Sequence, residues 1–165
     1  CDVQNLRNSL FYLEQVPHLF SDTIQNNIAL NLSVGLEEIY EASKKAGIQE
    51  EVLLMPKKWG TLIGERGIRL SGGQKQRLCL ARAFLRKAEI YLLDDPLSAV
   101  DQKKEREILK EIDHSLSSFL FVSHRLTPFE LCNRIIIIEN GEITEEGRFQ
   151  DLLPKLEDLS KKANE

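Results

Sequence analysis

The stretch "RLSGGQKQRLCLARA", Arg69 to Ala83, decides how this chain is read. A serine and two glycines stand near its head, and a helical pattern follows. Leu78, Ala81 and Leu85 fall on one side with Leu80 and Phe84 beside them, whereas Lys75, Gln76 and Arg82 fall elsewhere. That spacing predicts an amphipathic helix of about four turns after Ser71. Ser71 and Gln74 have the spacing of a capping box, in which two side chains satisfy free N–H groups. The box leaves the two glycines unexplained, since each destabilises a helix by roughly 1 kcal/mol relative to alanine. Close approach of bare backbone N–H groups to an anion would explain them.

Downstream, the grammar is that of a sheet with helices on it. "IYLLD" and "SFLFVSH" read as buried strands, and "QKKEREILKEIDHSL" between them as a helix with Ile108, Leu109, Ile112 and Leu116 inward. "TPFELC" predicts a short helix capped by Thr127, with Pro128 at its first position. "RIIIIENGEITEEG" reads as a third strand, an Asn140-Gly141 turn and a partner strand, and a helix with a polar tail closes the chain. Strand-helix-strand-helix-strand argues for a parallel α/β layer with the hairpin on its far side.

Upstream, a strand is expected from about Ser9 to Leu13. Short helices follow: "TIQNNIAL" capped by Thr23, "GLEEIYEASKKAG" closed by Gly47 with Leu36, Ile39, Tyr40 and Ala46 in helical register, and "IQEEVLLM" before Pro56. "KKWGTLIGERGIRL" reads as loop, with Trp59 packed in it.

The totals narrow the class. In 165 residues, 42% hydrophobic and 29% charged side chains describe a packed globular chain. A net charge of -4 gives no footprint for nucleic acid. Cys1, Cys79 and Cys132 form no CxxC pair; a reducing compartment is expected, with Cys79 and Cys132 as small core residues. No apolar run is long enough to span a bilayer. His18 and His114 lack ligand-spaced partners, so a zinc site is not expected. A first residue other than Met hints at a piece of something longer.

Ligands of open α/β sheets bind beyond the carboxyl ends of the strands. Two strands end there in polar groups: Asp94-Asp95-Pro96 and Ser123-His124-Arg125. A carboxylate so placed can hold Mg²⁺ beside a nucleotide phosphate, a second can orient water, and a histidine can hydrogen-bond the terminal phosphate. The same residues also start turns well, and both readings stand on the residues alone.

Together these features resemble the nucleotide-binding domain of ATP-binding-cassette (ABC) proteins. "LSGGQKQR", Leu70 to Arg77, is similar to the family's signature motif; "IYLLDDP" to its Walker B strand, ending at Asp94; "LSAVD", Leu97 to Asp101, to the D-loop; and "VSHR" to the switch-histidine segment at His124. Gln15 stands where the Q-loop glutamine would, and "GERG", Gly64 to Gly67, resembles the loop that exporter-type cassettes press against their membrane domain, with Glu65 and Arg66 as contacts. The resemblance implies a P-loop NTPase (RecA-like) α/β fold, here a partial parallel sheet, with an inserted ABC α-helical subdomain. It divides the chain into 1–15 (core strand end and Q-loop), 16–88 (helical subdomain with the signature) and 89–165 (the α/β core half).

The roles it implies are specific. Asp94 would hold Mg²⁺, Asp95 would orient the attacking water, Gln15 would sense both, and His124 would hold the γ-phosphate of ATP. Ser71, Gly72, Gly73 and Gln74 would clamp ATP bound to a second nucleotide-binding domain in a head-to-tail dimer, with Asp101 communicating across it. A transmembrane domain would be the other partner, at the cytoplasmic face of a membrane. Two departures matter. The chain has no Gly-Lys dipeptide and hence no G-x-x-x-x-G-K-[ST] phosphate loop, so an N-terminal half of the cassette is expected from elsewhere and the chain alone should be inactive or very weak as an ATPase. Asp95 also stands where the family usually has Glu, which opens a second reading as a non-hydrolysing regulatory ATP-binding module. A DNA-repair or chromosome-structure ATPase of similar signature fits less well, given the acidic balance and the "GERG" loop.

Overall fold

The computed structural model describes residues 9–64 and 67–162. Its elements form two units, residues 1–120 and 121–165, with the division inside strand β3. The elements are β1 (Leu10–Leu13), α1 (Ile24–Ala29), α2 (Leu36–Lys45), α3 (Gln49–Leu53), α4 (Gly72–Leu85), β2 (Ile90–Asp94), α5 (Gln102–Ser115), β3 (Phe119–Val122), β4 (Ile135–Glu139), β5 (Glu142–Gly147) and α6 (Phe149–Lys162). Short 3₁₀ turns lie at Lys58–Gly60 and Thr127–Leu131.

In the first unit the helix boundaries follow local chemistry. Thr23 caps α1 by accepting the Asn26 N–H at 3.2 Å. Helix α2 carries Glu37 and Glu38 early and Lys44 and Lys45 late, matching the helix dipole. Gly47 closes it at φ 67°: its N–H donates to Lys44 and the Ile48 N–H to Ser43, a Schellman motif that a residue with a Cβ adopts only under strain. Leu36 departs from the expected inward stripe and is exposed, while Trp59 is buried and stacks on Tyr40 at 4.7 Å.

Helix α4 also departs from the expected pattern. Eight consecutive residues, Gln76 to Ala83, are buried, which is more than two turns and therefore every side of the helix. Gln76 and Arg82 do not face solvent; Lys75 does. Arg82 donates through Nε to the Asn27 carbonyl at 2.7 Å and through its terminal nitrogens to the His18 carbonyl at 2.7 Å and Asn27 Oδ1 at 3.1 Å. The guanidinium ties α4 to the segment after β1 and to α1.

Strands β1 and β2 pair in parallel, Leu10 opposite Ile90 through Leu13 opposite Leu93, and the order of the three-stranded sheet is β1-β2-β3. Phe11, Leu13, Tyr91 and Leu93 are buried on one face. The expectation of fully buried strands fails on the other, where Tyr12, Ile90 and Leu120 are exposed. Helix α5 opens on Asp101, whose Oδ1 accepts the Lys104 N–H at 3.0 Å, and it buries Ile108, Leu109 and Ile112 as its spacing predicts.

In the second unit, β4 belongs to a separate two-stranded antiparallel sheet with β5, not to the parallel layer expected from the order of elements. Asn140 and Gly141 form the hairpin turn with φ of 54° and 83°. Ile135, Ile137, Leu152 and Leu156 make the core, with Cys132 only half-buried beside it. Thr127 is not a cap. The turn starts one residue earlier at Leu126, places Pro128 second and remains 3₁₀. The expected polar tail beyond Lys162, Cys1, and the Glu65-Arg66 pair lie outside the described residues.

Replacing Arg82 by leucine strips charged donors from the Asn27 and His18 carbonyls. The expected loss is about 3 kcal/mol of stability, read from the urea midpoint at unchanged slope. Arg82→Lys, with one compact ammonium in place of a fork, recovers less than half of it.

Candidate functional site

The parallel register brings the ends of two strands together. Leu13 opposes Leu93, so Gln15 follows the carboxyl end of β1 just as Asp94 and Asp95 complete and follow that of β2. Gln15 is exposed and Asp94 is half-exposed, so both are open to a ligand. Tyr12, which sequence reasoning passed over, donates its hydroxyl to Asp94 Oδ2 across 3.4 Å. Desolvation first and the Asp94 charge second raise the Tyr12 pKa above its ordinary value. The signal was in the pleat: with Tyr12 opposite Leu92, Asp94 lies two residues further along the same face.

Asp95 is placed differently. It is only 7% exposed, and its backbone is left-handed at φ 42°, a conformation that Asp tolerates better than most residues. Its carbonyl accepts from the Ser98 N–H at 3.3 Å and Ser98 Oγ at 3.2 Å, forming a tight turn into Leu97. Asp101 closes the same loop as the cap of α5, and the Lys104 N–H holds its carboxyl below the usual range. His124 falls two residues past β3, in the second unit, and is exposed.

The signature end of α4 is built from a complete capping box. Ser71 Oγ accepts the Gln74 N–H at 3.2 Å, and Gln74 Oε1 accepts the Ser71 N–H at 2.9 Å. Gln74 Nε2 also donates to Glu51 at 2.9 Å, so both ends of this side chain serve the chain's own structure. The first-turn N–H groups that the box does not use belong to Gly72 and Gly73. Gly73 has a further reason of its own: a Cβ there would lie 2.5 Å from the Ala99 carbonyl oxygen. At Gly72 a Cβ would meet only the Ala99 methyl at 3.4 Å. Close backbone packing therefore explains one glycine, and an anion remains an explanation for the other.

Behind this end sits a charged node. Arg77 donates to Glu51 Oε1 at 2.5 Å and to the Gly47 carbonyl at 2.7 Å, and Lys104 reaches the same carbonyl at 3.2 Å. Burial pushes the Glu51 carboxyl up, but hydrogen bonds from Arg77 and Gln74 and the charges of Arg77 and Lys104 outweigh it and leave the pKa lowered. Among the described residues no three His, Cys, Asp or Glu side chains converge as a metal cage. Asp94 alone suits an ion like Mg²⁺, which keeps waters and takes other oxygens from phosphate. No described helix is long and apolar enough to cross a membrane.

A parallel sheet whose second strand ends in Asp94, beside a glycine-headed helix capped by Ser71, is the arrangement of an α/β nucleotide-binding fold. The family model for ABC transporters matches residues 2–98, and the chain belongs to that family. It is 43% identical over 157 residues to ABC transporter B family member 24, mitochondrial, of Arabidopsis thaliana, covering 93% of this chain and 23% of that protein. It is 41% identical over 151 residues to the multidrug resistance-like ATP-binding protein MdlA of Buchnera aphidicola subsp. Schizaphis graminum, covering 89% of this chain and 26% of that one. The structure of a bacterial Atm1-family ABC exporter with ATP bound superposes with a TM-score of 0.88 at 31% identity, over 98% of this chain and 30% of that chain. The chain thus spans about a quarter of the length of these relatives.

The two glycines separate by substitution. Gly73→Ala forces a methyl against backbone and is expected to cost about 1–3 kcal/mol in a urea titration, whereas Gly72→Ala leaves stability equal or higher. Glu51 gives a pH test. With its folded pKa lowered, its contribution is fully present above the ordinary value of 4.5 and disappears as pH falls through the lowered one. Glu51→Gln should remove that part of the acid slope of stability.

Proposed function

We propose that this chain is the signature-bearing and catalytic part of the ATPase of an exporter-type ABC transporter, working at the cytoplasmic face of a membrane. The observation that carries the reading is that Gln15 and Asp94 stand at the carboxyl ends of adjacent parallel strands, in a chain that also exposes the Gly72 end of a capped helix. Mg²⁺, when bound, supplies charge neutralisation for the phosphates of ATP. Asp94 would hold it, directly or through water, and Gln15 would contact it and the attacking water. On the family resemblance alone, His124 would donate to the γ-phosphate. The amides of Gly72 and Gly73, with Ser71, receive ATP presented by a second nucleotide-binding domain, because a helix N-terminus with unused N–H groups attracts anions. Gln74 orients that end through Glu51, and Asp101 sits where the loop would meet the second domain.

The phosphate cradle comes from another segment, the N-terminal half of a cassette, since this sequence contains no Gly-Lys. The open apolar face at Tyr12, Ile90 and Leu120 supports a covering segment there. A transmembrane domain, on this or another polypeptide, receives the work. Equilibrium titration of this chain with Mg-ATP should show only weak binding; a micromolar Kd would refute the division of labour.

A second reading, slow or regulatory ATP binding, is favoured by Asp95. It is one methylene shorter than glutamate and turned inward at 7% exposure. A base displaced by about an ångström can lose about 10²-fold in rate. In the assembled transporter Asp95→Glu should raise single-turnover hydrolysis; equal or lower turnover would favour the regulatory reading.

A further inference from the structure

Gln76 is a buried polar side chain of α4, 3% exposed, to which the functional reading gives no task. Its Oε1 accepts the Ala99 N–H at 2.8 Å, and its Nε2 donates to Ser98 Oγ at 2.6 Å and to the Asp95 carbonyl at 3.4 Å. One carboxamide therefore grips both ends of the turn from Asp95 to Ala99. Gly73, one helical turn earlier on the same side, lets the Ala99 carbonyl come close enough to exclude a Cβ. The gripped turn carries Asp95 at its head in the left-handed region and leads two residues beyond Ala99 to Asp101. Ser98 Oγ completes the relay, accepting from Gln76 and donating to the same Asp95 carbonyl.

We propose that Gln76 is a positioning residue that couples the two faces of the composite site, holding the Asp95–Ala99 turn as one body with the helix whose Ser71 end meets the other nucleotide. This rests on the ATPase reading above. The helix is rigid over the three residues that separate Gly73 from Gln76, so a displacement of its head by a bound triphosphate is carried into the turn without slack. The hydrogen bonds fix the Asp95 backbone, and through it the direction of the carboxylate. Gln76 touches neither nucleotide nor metal; it acts through Asp95.

Hydrogen exchange of the turn amides in the assembled transporter, with and without Mg-ATP, tests the proposal. In the wild type, Mg-ATP should change exchange across Asp95–Ala99. Gln76→Met, similar in shape and without donors or acceptors matched to the turn, should speed Ala99 exchange by about tenfold or more and abolish the response to Mg-ATP. Its kcat should fall about tenfold, with KM changed less than about twofold. Gln76→Glu keeps the acceptor for Ala99 but sets an oxygen against the Asp95 carbonyl, and should fall between. Unchanged Ala99 exchange in Gln76→Met would overturn the clamp. A turn that exchanges faster yet still answers Mg-ATP as the wild type does would reduce Gln76 to packing and overturn the coupling. A wild type that binds Mg-ATP without turning it over would sink the ATPase reading instead, and the exchange response would still decide the role of Gln76.

Discussion

Helix α4 is enclosed on every side from Gln76 to Ala83, and that enclosure is the constraint on which the first unit depends. A buried polar group left without a partner costs about 1–3 kcal/mol. The helix nevertheless carries Gln76, Arg77 and Arg82 inside. Each finds backbone partners in neighbouring segments: Gln76 in the Asp95–Ala99 turn, Arg77 at Gly47, and Arg82 at His18 and at Asn27 of α1. The helix therefore fixes the loops around it. The segment after β1, the end of α2 and the turn after β2 all take their places from three polar side chains on one rod.

The site inherits this arrangement. Of the residues open to a ligand, Gln15 and Asp94 stand at the ends of adjacent strands and Gly72 at the head of α4, which a partly buried carboxylate braces. Glu51 illustrates the brace: it receives Gln74 and Arg77 from the head of α4, and Lys104 from α5 reaches it at 3.7 Å. Its carboxylate thus links the signature end to the helix that Asp101 caps. Chemistry that depends on placing charge within an ångström needs such support, because exposed loop residues hold their geometry poorly.

Much of this is legible in the amino-acid sequence. The caps at Thr23 and Ser71, the closing Gly47 and the Asn140-Gly141 turn are local devices: each needs only a few neighbouring residues, and each stands as its pattern implies. Periodicity served α5, where Ile108, Leu109 and Ile112 are inward, because that helix has one buried side. It failed for α4, because a helix surrounded on all sides has no polar face to show, and Gln76 and Arg82, off its apolar side, are buried as well. It failed again for Ile90 and Leu120, apolar residues whose strands leave one face open. The tasks of Gln74 and Glu51 were hidden for a related reason: they lie 23 residues apart along the chain, and no local pattern joins them.

The sequence by itself determined most of the inventory: which long segments are helix or strand, several of their caps and turns, and which motifs place the chain in the ABC family. Those properties rest on backbone preferences and near-neighbour hydrogen bonds, which act within one turn or one hairpin. Only the tertiary structure decided that β4 pairs with β5 outside the parallel sheet, that Asp95 turns inward, and that Gly73 answers to the Ala99 carbonyl. Each of these depends on what a distant segment brings alongside, because a buried polar atom takes whichever partner packing presents, and packing is a property of the assembled chain.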